Sequence, residues 1–151
     1  MPIDPSIIGS RTPAFQTLAE RGRLGFFAKA IGQSDPVYTD PEAAKAAGHR
    51  DLPIPPTFLF CLEMDNPDRA AFLTNLGIDI RTILHGGQEF TYHAQAYAGD
   101  TLTFVTEVKD VYAKKGGALE FIVRDTHVTR DGEAIATLTS TTVVRDPKAA
   151  K

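Results

Sequence analysis

Hydrophobic and polar positions change their rhythm partway along the chain. Up to about Gly77 apolar residues recur at helical spacing and are interrupted by prolines. From Ile83 onward β-branched and aromatic residues alternate with polar ones. Leu24, Phe27, Ala28 and Ile31 fall at three- and four-residue steps, which predicts a helix over Gly22–Ile31 that stops at Gly32. A second helix is predicted over Pro41–Ala47, with Asp40 as N-cap, Pro41 in the first turn and Gly48 as terminator. After the turn at Pro53, Pro55 and Pro56, Thr57 is placed as the cap of a third helix carrying Phe58, Leu59, Leu62 and Met64. Apolar on most sides, that helix reads as a buried one.

The remainder predicts four long strands, roughly Leu84–Ala96, Asp100–Ala113, Ala118–Thr129 and Glu133–Arg145. Ala98-Gly99-Asp100, Lys115-Gly116-Gly117 and Arg130-Asp131-Gly132 separate them, and Asp131-Gly132 is a strong hairpin signal. A sheet with one apolar face needs a cover, and the central helix is the element available. The expected class is therefore α+β, in one domain over residues 1–151 with its core in about 5–145.

Composition narrows the function classes. A hydrophobic fraction of 42% and a formal net charge of -3 fit a globular protein and argue against nucleic acid as the main partner. No apolar run is long enough to span a membrane, and the first ten residues lack the pattern of a secretory signal. The lone cysteine, Cys61, cannot form an internal disulfide, so a reducing, cytoplasmic location is the expectation.

Two motif blocks carry a resemblance. The first runs from the helix ending near Gly32 through Gln33-Ser34-Asp35-Pro36-Val37-Tyr38, then Asp40-Pro41, and closes on Ile54-Pro55-Pro56-Thr57-Phe58. The second is Leu84-His85-Gly86-Gly87-Gln88-Glu89-Phe90-Thr91-Tyr92-His93, followed by Gly99-Asp100-Thr101. In this order they resemble the MaoC-like dehydratase/hydratase family, and the second block resembles its N-terminal, FAS1-like dehydratase subgroup. The resemblance implies a hot-dog fold, a long central helix wrapped by a curved antiparallel sheet. It also implies an acyl thioester substrate carried by coenzyme A or a carrier protein, with no further cofactor.

Active members of that family carry D-x-N-P-x-H, whose Asp and His move a proton through a bound water. In the register fixed by Pro36 and Val37, Gln33 stands at the Asp position, Asp35 at the Asn position and Tyr38 at the His position. A Gln amide does not titrate near neutrality, and a phenol ionising near pH ~10 is a poor base there. The resemblance places the Thr57 backbone N–H as donor to the thioester oxygen, since a helix-leading amide favours developing negative charge. Asp35 is then either a surrogate base or the cap of its own turn, and Tyr38 either orients a water or packs as a hydrogen-bonded aromatic.

Pro56, Phe58, Gly86 and Gly87 are expected near the substrate, although Gly86-Gly87 also suits a bulge or a close backbone approach. Arg50, Lys114 and Lys115 are candidates for the phosphates of the carrier, against ordinary solvated charges. His85, Glu89 and His93 share a strand parity, but their loose spacing gives no metal site. The function expected is (R)-specific enoyl-thioester hydration or 3-hydroxyacyl dehydration, or the acyl-binding half of such an enzyme beside a catalytic partner. The alternatives are a non-catalytic acyl-thioester-binding subunit and a hot-dog thioesterase. Either a homodimer or a heterodimer with a second hot-dog subunit would cover the exposed sheet edge.

Overall fold

The computed structural model describes residues 2–146. Strand β1 (Phe15–Leu18) leads into helix α1 (Arg21–Ala30), and a 3-10 turn at Pro36–Tyr38 leads into α2 (Pro41–Ala46). Helices α3 (Phe58–Glu63) and α4 (Ala71–Asn75) follow, then strands β2 (Ile83–Tyr92), β3 (Thr101–Lys114), β4 (Leu119–Arg130) and β5 (Glu133–Arg145). The strands form one five-stranded antiparallel sheet in the order β1-β3-β4-β5-β2, with β1 and β2 at its edges. This is the expected α+β arrangement. Among the described residues no helix is long and apolar enough to cross a membrane.

Local chemistry explains most of these elements. Leu24 and Ala28, one helical turn apart, are the fully buried residues of α1. The Asp40 carboxylate accepts from the Glu42 amide and Pro41 occupies the first turn of α2, the capping arrangement read from the sequence. Between β4 and β5 the residues Asp131 and Gly132 both adopt positive φ, 49° and 84°, and Arg130 pairs with Glu133. That two-residue turn matches the right-handed twist of its strands.

Three expectations need correction. A fifth strand, β1, pairs antiparallel with β3 and was not anticipated; nor was α4. The second-block strand ends at Tyr92 instead of Ala96, because the chain turns there to bond Ile54 and Leu52 across the Ala96–Ala98 segment. The central helix is short, at six residues. Thr57, at its N-cap position, holds a left-handed φ of 74° and makes no side-chain cap bond. At the other end the chain reaches Asn66-Pro67, and a residue before proline is biased away from helix.

The inner face of the sheet is not uniformly apolar. Phe58, Leu59 and Leu62 of α3 pack with Leu102, Phe104, Val128 and Leu138 in one cluster. Leu73 of α4 packs with Val108 and Ile122 in a second cluster. Burial of such side chains contributes about 1.5–3 kcal/mol each. Between the two clusters the inward positions are polar: Thr126, Ser140 and Thr142 are all buried, and Arg124 is half-buried.

Candidate functional site

The Gln33–Tyr38 segment folds on itself. The Gln33 Oε1 accepts from the Asp35 amide at 3.0 Å, and Asp35 Oδ1 accepts from the Val37 amide at 3.1 Å, starting the 3-10 turn that Pro36 opens. Asp35 is exposed, and its carboxylate is tied to the amide two residues on. Tyr38, at the end of that turn, is half-buried and reaches a cleft.

The cleft has a volume of about 380 Å³, and its walls include Tyr38, Pro55, Pro56, Leu59, Tyr92 and His93. At its margin the Thr57 N–H donates to the Tyr92 hydroxyl at 2.9 Å. The first amide ahead of α3 thus points at a polar oxygen. His93 places Nε2 3.1 Å from the Thr137 hydroxyl and lines the cleft wall. No carboxylate lines this cleft among the described residues. The polar side chains on its wall are the Tyr38 and Tyr92 phenols, the His93 imidazole and the Gln95 amide.

The structure brings Tyr38, Pro56 and the Thr57 amide together and separates the other candidates. Phe58 is buried, its ring 4.8 Å from that of Phe27 and beneath the Arg23 guanidinium. Gly86 is the unpaired residue of a β-bulge between His85 and Gly87. A Cβ there would lie 2.6 Å from Val143 Cγ2, so the glycine is demanded by the approach of β5. The bulge also breaks the strand parity, so His85 stacks edge-on against Phe60 instead of sharing the face of Glu89.

Arg50 does not stand free. It hydrogen-bonds the buried Asp100 carboxylate and covers the Tyr97 ring at 4.7 Å. Asp100 also accepts from Arg130 Nη1 at 2.7 Å and from the Tyr97 amide at 2.9 Å. Burial pushes this carboxyl up, but the bonds from Arg50, Arg130 and Tyr97 outweigh it and hold the group below its ordinary value. Lys114 lies over the Tyr112 and Phe121 rings.

Sequence reasoning did not single out Tyr92 or set His93 beside Tyr38. Both lie in the second motif block, but which wall they face depends on where β2 ends and bends. The alternating pattern through Ala96 gave no sign of that bend.

The chain matches the FAS1-like, dehydratase domain region over residues 6–138. A UPF0336 protein of Saccharopolyspora erythraea is 42% identical over 149 residues, covering 96% of this chain and 93% of that one. Among solved structures, the C-terminally truncated HadBC (3R-hydroxyacyl-ACP dehydratase) complex from Mycobacterium tuberculosis superposes with a TM-score of 0.77 at 24% identity. That match covers 94% of this chain and 99% of the other. A MaoC-like dehydratase reaches a TM-score of 0.82 at 23% identity, with 95% of this chain matching 43% of that one. At such identities the superpositions establish the fold, and the sequence matches establish kinship. The chain belongs to the FAS1-like dehydratase-region family and has the hot-dog fold of the MaoC-like dehydratases.

Proposed function

We propose that this chain is the acyl-thioester-binding half of an (R)-specific enoyl-thioester hydratase/3-hydroxyacyl-thioester dehydratase, and that a second hot-dog subunit supplies the acid–base pair. One observation carries the reading: the cleft beside the motif turn offers the Thr57 amide and two phenols, while Asp35 is tied into its own turn. Loss of one general acid–base group typically slows a reaction about 10²–10⁴-fold, and with Gln33 and Tyr38 at the motif's two acid–base positions His93 is left without a carboxylate partner on the cleft wall, so the pair needs another source. The HadBC dehydratase is a complex, and the MaoC-like dehydratase is a chain more than twice as long as its matched part, which supports a two-half enzyme. The substrate's thioester is carried by coenzyme A or a carrier protein, and the reaction needs no other cofactor.

The test is loss of enoyl absorbance from crotonyl-CoA, with the purified chain alone and mixed with a hot-dog partner that carries an intact D-x-N-P-x-H. Turnover by the mixture and none by either isolated chain is the expected result. Turnover by this chain alone that Tyr38→Phe or His93→Gln abolishes would overturn it in favour of a self-sufficient enzyme. Release of free thiol would favour a thioesterase.

A further inference from the structure

One buried carboxylate stands behind the Tyr38 cleft without bordering it. Three groups from different parts of the chain converge on Asp100. Its Oδ2 accepts from the Tyr97 amide at 2.9 Å and from Arg130 Nη1 at 2.7 Å, and its Oδ1 accepts from Arg50. The same Arg130 Nη1 donates to the Gln95 carbonyl at 3.2 Å, while Glu133 holds Arg130 Nη2 at 2.6 Å. Residues 95 and 97 are thereby tied to the end of β4.

That tie reaches the cleft through a short two-stranded ladder. Pro53 bridges Tyr97 antiparallel, the Ile54 amide donates to the Ala96 carbonyl at 2.9 Å, and the Ala98 amide donates to the Leu52 carbonyl at 2.8 Å. Gln95 and Ala96 on one side of the ladder, and Ile54, Pro55 and Pro56 on the other, line the cleft. Beyond Ile54 the chain has little freedom. Each proline ring fixes its own φ, and the Phe58 amide closes back on the Pro55 carbonyl at 3.1 Å. Thr57 stands inside that turn, with its N–H on the Tyr92 hydroxyl. A shift of the ladder is passed to this amide with little to absorb it.

Adhesion alone does not call for Asp100, since Leu52, Ile54, Ala96 and Ala98 are all buried and apolar. Apolar burial is non-directional, whereas charge-assisted hydrogen bonds fix orientation as well as approach. A carboxylate withdrawn from water is costly where adhesion suffices, and apolar residues of similar volume often serve as well. Several donors aimed at one carboxylate suit a place where direction matters.

We infer that Asp100, held by Arg130 and Arg50, is a positioning residue, which acts through the ladder and the Pro55-Pro56 turn to set the direction of the Thr57 N–H. Its bearing on turnover rests on the acyl-thioester reading; the aim of the amide does not.

The experiment compares the ¹⁵N-labelled full chain with Asp100→Asn and Arg130→Met, and with Ile122→Ala, a core truncation on β4 away from the node. In the two node variants the Thr57 and Gln95 amide resonances are expected to move, while both stay in place in Ile122→Ala. The same chains are then mixed with the hot-dog partner that carries D-x-N-P-x-H, and crotonyl-CoA turnover is followed. Misplacing a reacting group by about 1 Å costs up to roughly 10²-fold, so the node variants should lose about tenfold or more in kcat with KM held within about threefold. Ile122→Ala keeps the parent kcat per folded molecule. Should Asp100→Asn not fold, Arg130→Met, which leaves Asp100 to Arg50, decides. A Thr57 resonance that stays in place in the node variants, an equal displacement in Ile122→Ala, or a loss confined to KM would each overturn the inference. No turnover by the parent mixture would overturn the acyl-thioester reading instead, and the resonances would still decide the aim of the amide.

Discussion

Asp35 and Asp100 each accept a nearby backbone amide, and the likeness ends there. Asp35 stands exposed at the opening of a 3-10 turn, and its carboxylate accepts the Val37 amide of that turn. Asp100 is 6% exposed and joins Arg50, Arg130 and the Tyr97 amide, pinning the approach to α3, the end of β4 and the turn before β3 to one another. The motif drew attention to the first carboxylate as a catalyst. The surroundings give the second the stronger hold on the fold, and neither lines the Tyr38 cleft. A carboxylate's duty follows its burial and its partners, not its place in a motif.

Substitution should separate the two aspartates widely. Asp100→Asn leaves two guanidinium groups facing a neutral amide and should lower unfolding free energy by about 2–4 kcal/mol, below the figure for a fully buried pair because Arg50 reaches solvent. Denaturant titration reads this directly. The same comparison has a pH form. The Asp100 carboxyl titrates lower in the folded chain than in the unfolded one. Its contribution is therefore complete above the unfolded value of ~3.9 and vanishes as pH falls through the lower folded value. Parent and Asp100→Asn stabilities should converge on acidification through that window; parallel curves would mean that the Arg50–Asp100–Arg130 node carries no such weight.

A smaller effect is expected at the bulge. Gly86→Val drives side-chain atoms against Val143 and Thr141 and should cost about 1–3 kcal/mol, as overpacked sites do. Asp35→Asn should have the least effect, within roughly 0.5 kcal/mol, because asparagine opens such turns as well as aspartate does. A large loss of stability at Asp35 would erase the contrast with Asp100.

Much of the architecture was legible because its signals are local. The β4–β5 hairpin follows from Asp131-Gly132, α2 from Asp40-Pro41, and α1 from the Leu24–Ala28 spacing. Strand β1 was not legible: four residues with Gln16 and Thr17 at their centre show no sustained alternation, and only pairing with β3 makes them a strand. The candidate site divides in the same way. Tyr38 and Pro56 lie on turns that proline chemistry marks. Tyr92 meets Thr57 from 35 residues away, through a bend that no short-range pattern announces.

Thr57 carries strain in its backbone, at a φ of 74°. A β-branched residue in the left-handed region is held against its own preference by roughly 1–2 kcal/mol. That bending is completed when the chain folds, before any visitor arrives. If the proposed acyl-thioester function holds, an incoming oxygen that displaces the Tyr92 phenol would find the N–H already aimed and have only a side chain to move.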